Sequence, residues 1–222
     1  MKSMAASSEM DDIALWGLLI KGDQKALEIL YQRYYSLLLN YGLRCSTDKE
    51  LVKDCIQDLF INLYQNTHIN VTNITVRSYL LKALRNNLTY KLATNKEADS
   101  LDDSVFHIPL NEDLFEQLFP KNDHDLQLAR RLLEAISQLS PNQKTVLYLR
   151  YVQELSYKEI ADVMDMNIQS SMNLSSRALA KLRTLVTQDE YFFGVWQLFF
   201  LKIILSLWPQ ARRWPSLPRT RL

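Results

Sequence analysis

Apolar residues recur at steps of three and four in successive runs between residue 11 and Val186, which is the period of a helix and not of a strand. Leu15, Leu18 and Leu19 form one run; Ala26, Leu27, Leu30, Tyr34, Leu37 and Leu38 form the next. Lys21-Gly22-Asp23 interrupts them, so residues 11–42 read as two helices joined by a short turn. Residues 48–65 repeat the pattern, with Leu51, Val52, Cys55, Leu59, Phe60, Leu63 and Tyr64 on one face and Lys49, Lys53, Asp54, Gln57 and Asp58 on the other. Thr47 or Asp48 stands where a cap is needed. Only four of 222 residues are glycine, too few for a turn-rich all-β fold, and 47% hydrophobic residues suffice for a core. The expected fold class is all-α.

Charge is balanced overall, 26 Lys and Arg against 25 Asp and Glu, but not locally. Residues 74–92 carry Arg77, Lys82, Arg85 and Lys91, no acid, and the interleaved aromatics Tyr79 and Tyr90. A one-sign helix with aromatics suits nucleic acid, although an ordinary solvated basic face has the same composition. Residues 93–125 reverse the sign. Glu97, Asp99, Asp102, Asp103, Glu112, Asp113, Glu116, Asp123 and Asp125 stand against Lys96 and Lys121, and Pro109 and Pro120 punctuate them. This stretch reads as a flexible acidic linker with one short helix around residues 114–119.

The most informative stretch is 126–186. A helix over 126–139 ends at Ser140-Pro141, and Pro141 suits the first turn of a helix running to Tyr151. Ser156 and Glu159 have capping-box spacing, with Leu155 and Ile160 at the staple positions. The helix they open ends near Met164; Asp165-Met166-Asn167 makes a turn, and Asn167 caps a helix over 168–186. Leu174, Ala178, Leu182 and Leu185 are its expected buried stripe, and Ala161 is small where the two helices cross. A short helix, a tight turn and a longer helix make a helix-turn-helix. The second helix would lead into the major groove with Gln169, Ser170, Met172 and Asn173. Gln and Asn pair bidentately with adenine, Ser is less selective, and Met offers apolar contact to a thymine methyl. Arg177, Lys181 and Arg183 further along, and Lys158 on the first helix, suit phosphates. A plain helical hairpin with a basic face shares this pattern.

Two separated segments resemble one family. LSPNQKTVLYLRY, LSYKEIADVM and RALAKLR, within residues 133–185, resemble the −35-binding domain of bacterial RNA polymerase sigma factors. DKELVKDCIQDLFINLYQ resembles the helix by which these factors grip the polymerase, with Asp54, Gln57, Asp58 and Phe60 at matching positions. YLLKALRNNL resembles the helix that binds and melts the −10 element, with Arg85 and Asn86 matching. Arg77, Tyr79 and Lys82 join these as candidates on the same helix, since aromatic faces stack on any base and cations neutralise phosphate. The order and the acidic linker point to the small two-domain, extracytoplasmic-function type. The resemblance implies a domain over 1–92 for core polymerase and the −10 element, a linker over 93–125, and a −35 domain over 126–188. It implies core RNA polymerase and promoter DNA as partners, an anti-sigma factor as a further one, and no cofactor. The sequence departs from the family at Ser171, where a branched apolar residue is usual, at Met172, where a basic one is, and at Tyr79, where relatives carry Trp.

A rival reading makes residues 1–125 a sensing domain of a conventional helix-turn-helix regulator that is no polymerase subunit. An enzyme has little support: no phosphate-binding glycine loop, no HExxH, and His68, His107 and His124 are scattered. Cys45 and Cys55 lack metal-ligand or CxxC spacing and read as small packed residues in a reducing, cytoplasmic setting. The N-terminus lacks the apolar segment of a signal peptide. Residues 189–222 are an extension that the resemblance does not cover. YFFGVWQLFFLKIILSLW is apolar but broken by Gln197 and Lys202, and Arg212, Arg213, Arg219 and Arg221 follow. Packing on the −35 domain, contact with a membrane interface and a true span are all open to it.

Overall fold

A computed structural model describes residues 10–66, 75–95, 131 and 134–186. The linker from residue 96 onward, its short helix, most of the helix expected over 126–139, and the extension over 189–222 lie outside the described residues. All regular structure described is helical.

Helix α1 (Asp12–Ile20) and α2 (Gln24–Cys45) meet at the expected turn, where Gly22 adopts φ +87°. That conformation favours a residue without Cβ. Asp23 then caps α2, its Oδ1 accepting from the backbone N–H of Lys25 at 2.8 Å and Ala26 at 3.2 Å. Of the two cap candidates for α3 (Lys49–Gln65), Asp48 serves, accepting from Glu50 and Leu51 N–H, each at 3.0 Å. Helix α4 (Val76–Asn95) runs three residues beyond the expected end at 92. No Pro or Gly stops it there, and Thr94 Oγ1 bonds back to the Tyr90 and Lys91 carbonyls at 3.0 and 3.1 Å.

Helices α2, α3 and α4 pack against one another, and α1 packs on α2. They bury Leu30, Leu38, Tyr41, Val52, Ile56, Leu80, Leu81, Leu84 and Leu88 almost completely. Gly42 allows the close approach of α2 to α3: a Cβ there would lie 2.4 Å from Val52 Cγ1. Asp12, at the start of α1, pairs with Arg33 and accepts from the Tyr34 hydroxyl in the middle of α2, tying the two helices together.

Helix α5 (Pro141–Leu147) opens with a capping box as well as the expected proline. Ser140 N–H donates to Gln143 Oε1 at 3.0 Å, and Gln143 N–H donates to Ser140 Oγ at 3.3 Å. The sequence predicted one helix to Tyr151, but Tyr148–Val152 is a π-helical turn. Its hydrogen bonds explain it. Gln153 N–H reaches back to the Tyr148 carbonyl, Leu155 N–H reaches the Leu149 carbonyl, both at 3.0 Å, and Glu154 between them takes φ +54°. Gln153 Nε2 also donates to the Tyr148 hydroxyl at 2.8 Å, inside the protein. Helices α6 (Tyr157–Met164) and α7 (Ile168–Val186) follow.

Among the described residues, α1 to α6 and α7 as far as Arg177 belong to one compact unit, in which α4 packs along α6. Residues 131, 134–139 and 178–186 belong to a second. In that second unit Ala135, Ile136, Leu139, Ala178 and Leu182 are buried.

Candidate nucleic-acid interface

The helix-turn-helix is specified at three points. Ser156 N–H donates to Glu159 Oε2 at 2.9 Å and Glu159 N–H donates to Ser156 Oγ at 3.3 Å, so the capping box is closed. Burial opposes charge on Glu159, but hydrogen bonds from Ser156 and Thr75 and the nearby Arg77 carry its carboxyl below the usual range. At the far end of α6, Asp165 adopts φ +52° and Met166 N–H bonds to the Ala161 carbonyl at 3.0 Å, a left-handed helix stop. Asn167 Oδ1 then accepts from Ser170 N–H at 2.7 Å and caps α7.

Ala161 is buried, as the close crossing requires. The packed stripe of α7 differs from the one expected. Ser171, Ser175, Ala178 and Leu182 are buried, Leu174 is half-buried, and Leu185 is 40% exposed. The hydroxyls make this possible. Ser171 Oγ donates to the Tyr157 and Ile168 carbonyls at 3.1 and 2.7 Å, and Tyr157 donates to Ser175 Oγ at 3.5 Å. Ser171 therefore fills the inward position with a satisfied polar group.

The leading turns of α7 point outward. Gln169, Met172, Asn173 and Arg177 are exposed and Ser170 is half-buried; Lys158 on α6 is exposed. Gln169 Nε2 donates to Asn173 Oδ1 at 3.0 Å, so the two adenine-reading candidates are joined. Lys181 is exposed and donates to the Gln138 carbonyl at 2.5 Å.

On α4 the five candidates divide. Asn86 is exposed and Arg85 half-buried. Tyr79 stands edge-on to Trp16, ring centres 5.2 Å apart, and burial pushes its hydroxyl pKa up. Arg77 Nη2 donates to the Gln153 carbonyl at 2.5 Å and to Gln153 Oε1 at 3.1 Å. Lys82 Nζ pairs with Asp165 Oδ1 at 2.5 Å. Tyr90, noted in the sequence but not chosen, is 71% exposed and is the accessible aromatic of this helix.

On α3, Asp54 and Gln57 are exposed, and Asp58 is half-buried and paired with Lys91 at 2.6 Å. Phe60 is not on that face. It is 4% exposed and packs edge-on against Tyr31, ring centres 5.0 Å apart. The sequence reading missed Ile61 and Tyr64, which are 45% and 44% exposed. Positions 54, 57, 61 and 64 lie at steps of three and four, so they continue the polar face. Tyr64 had been counted with the apolar one.

Cys45 lies beside Tyr41, Arg85 and Leu88, and burial pushes its thiol up to about 11. Cys55 is buried and raised for the same reason. Neither is a poised nucleophile. Among the described residues there is no cluster of His, Cys, Asp and Glu fit to hold a metal, and no helix long and apolar enough to cross a membrane.

Two family descriptions match this chain: Sigma-70 region 2 at residues 30–97, and Sigma-70, region 4 at residues 129–182. The chain is 24% identical over 159 residues to the ECF RNA polymerase sigma factor SigM of Bacillus subtilis, covering 72% of this chain and 94% of that one. It is 25% identical over 172 residues to the RNA polymerase sigma factor YlaC of the same organism, covering 74% and 94%. A shorter likeness, 40% over 60 residues, links it to the RNA polymerase sigma factor FliA of Escherichia coli, covering 27% and 25%. A conventional regulator with an N-terminal sensing domain does not account for the match at 30–97. With both regions present in the expected order, this chain belongs to the sigma-70 family, in its extracytoplasmic-function class: a non-catalytic subunit that directs transcription initiation with RNA polymerase.

Proposed function

We propose that three helices share the work of promoter-specific initiation. The outward row of α3, with Asp54, Gln57, Ile61 and Tyr64, docks on core polymerase: the acid at one end complements a basic partner residue, and the exposed apolar groups supply the desolvated contact. Helix α4 reads the −10 element with Arg85 and Asn86, with Arg77, Tyr79 and Lys82 from the same helix, and with Tyr90 as a stacking face. Helix α7 reads the −35 element with Gln169, Ser170, Met172 and Asn173, while Lys158, Arg177 and Lys181 hold phosphates. The observation that carries this reading is the exposure of Gln169, Met172 and Asn173 on the first turns of a helix whose start is pinned by Asn167. In-vitro transcription with purified core polymerase on a genomic fragment library tests it. Start sites that appear only with this protein, sharing two spaced elements, are the expected result; no dependent start site would end the reading.

The protein acts in the cytoplasm on this reading. An anti-sigma factor is its expected regulator, and the apolar and basic extension over 189–222 is a candidate contact for a membrane interface. Cell fractionation of a chain ending at residue 189 decides the last point: an unchanged distribution rejects membrane contact.

A further inference from the structure

We infer that Ser171 and Ser175 are positioning residues for −35 recognition: through Tyr157 and Tyr151 they fix the rotation of α7 about its own axis, and so decide which base edges Gln169 and Asn173 meet. The inference rests on α7 being the −35 reader. Among residues 168–175, the first two turns of α7, Ser171 and Ser175 are the two that are buried, both at 0% exposure. The apolar Ile168 and Met172 are exposed, and Leu174 is half-buried. No apolar side chain is sunk into the protein along these turns, so the hydroxyls hold them.

Both hydroxyls are tied to residues that precede or open α6. The Ser171 proton is shared between the Tyr157 carbonyl at 3.1 Å and the Ile168 carbonyl of its own helix at 2.7 Å. Ser175 Oγ accepts a long bond from the Tyr157 hydroxyl at 3.5 Å and is also hydrogen-bonded to Tyr151, on the π-helical turn. Burial raises the pKa of the Tyr151 hydroxyl, and Tyr157 adds to the rise; Arg150 and the bond from Ser175 act against it. Tyr157 is itself held. The Arg150 guanidinium lies over its ring, 4.9 Å from the centre, and Arg150 Nη1 donates to the Leu155 carbonyl at 2.9 Å. Tyr157 therefore meets α7 at two points one turn apart, its carbonyl at Ser171 and its hydroxyl at Ser175.

Hydrogen bonds are directional where apolar contact is not. A row of methyl groups would let α7 turn by several degrees at little cost; two hydroxyl anchors on one face resist that turn. Gln169 and Asn173 stand two residues before and after Ser171, about 200° round the helix, and so lie opposite the anchored face. A helix with its side chains is about 5–6 Å in radius. A rotation of about 10° then carries a side-chain tip about 1 Å, enough to break one arm of a bidentate pair with a base. The bond between Gln169 and Asn173 lies within α7, so it moves with the helix and cannot set the rotation itself.

The test is holoenzyme reconstituted with the full-length chain and bound to a library of −35 variants, with the folded fraction of each protein followed by circular dichroism. A good bidentate pair gives base discrimination on the order of five- to 150-fold. Ser171→Ala and Ser175→Ala should each lower the discrimination at the positions read by Gln169 and Asn173 at least about threefold. The salt slope should not change, because the phosphate contacts of Lys158, Arg177 and Lys181 are untouched. Each variant loses only a hydroxyl, and the Tyr157 carbonyl keeps its place in the bonding of α6. Tyr151→Phe removes the other end of the Ser175 link and should reproduce the Ser175→Ala profile. The two together should do no more than either alone, as for one shared contact. Unchanged base discrimination in all three single variants, with affinity falling only as the folded fraction falls, would overturn the proposal; so would fully additive effects of Ser175→Ala and Tyr151→Phe. The foundation is read separately. If Gln169→Ala leaves base preference unchanged, α7 is not the reader and the proposal goes with it; a Gln169→Ala effect without a serine effect sinks the positioning role alone.

Discussion

Phe60→Ala is expected to lower folding stability by about 3–5 kcal/mol, the usual loss for emptying a buried aromatic site. Tyr64→Ala should leave stability within about 0.5 kcal/mol and weaken binding to core polymerase at least about tenfold. The two residues sit four apart on α3; the sequence offers Phe60 as the docking residue and counts Tyr64 with the apolar face, but the neighbouring helix covers the first and not the second. Phe60 is 4% exposed, against Tyr31; Tyr64 is 44% exposed, in line with Asp54, Gln57 and Ile61. Removing Phe60 deletes contacts inside the α2–α3 packing, so any loss of transcription should follow the loss of folded protein. Urea unfolding followed by circular dichroism, beside a fluorescence titration with core polymerase, separates the two effects. A stable Phe60→Ala protein that fails only in docking would place the polymerase contact on the other face of α3.

That contrast marks where the sequence was legible. Local chemistry could be read directly. Gly22 with Asp23, Asp48, the Ser156–Glu159 box and Asn167 each act within three residues of themselves, and each does in the structure what its spacing predicts. The helical period likewise found the buried Leu30, Leu38, Val52 and Leu59. What it missed depends on tertiary packing. Tyr64 and Phe60 differ by one helical turn and a small rotation, and only the neighbouring helix decides which is covered. The buried face of α7 was set by Ser171 and Ser175, whose hydroxyls are satisfied across and along the helix and so pack like small apolar groups. A hydrophobicity pattern cannot see that. The π-helical turn at Tyr148–Val152 depends on Gln153 finding the Tyr148 hydroxyl and on Glu154 taking a left-handed conformation. The partners of Arg77 and Lys82 lie 76 and 83 residues away, with no periodic signal to reveal them.

Gln169→Ala and Arg177→Ala should fail in different ways, and the difference tests the −35 assignment. Gln169 leads α7 into the groove and its amide can make a bidentate pair with adenine. Losing it should cost about 1–3 kcal/mol on the preferred site and flatten base preference at one position. Its present bond to Asn173 adds a second consequence: the Asn173 amide loses its partner and becomes free to reorient, so preference at the neighbouring position should shift as well. Arg177 lies two turns further on, exposed, where phosphate is the nearer target. Its loss should weaken all sequences nearly equally and reduce the salt slope of binding by about 0.9. Holoenzyme binding to a library of −35 variants at several salt concentrations reads both effects at once. If the salt slope moves with Gln169 and the base preference with Arg177, the roles are exchanged. If neither substitution changes binding, α7 does not enter the groove, and the exposed row Gln169, Met172 and Asn173 needs another partner.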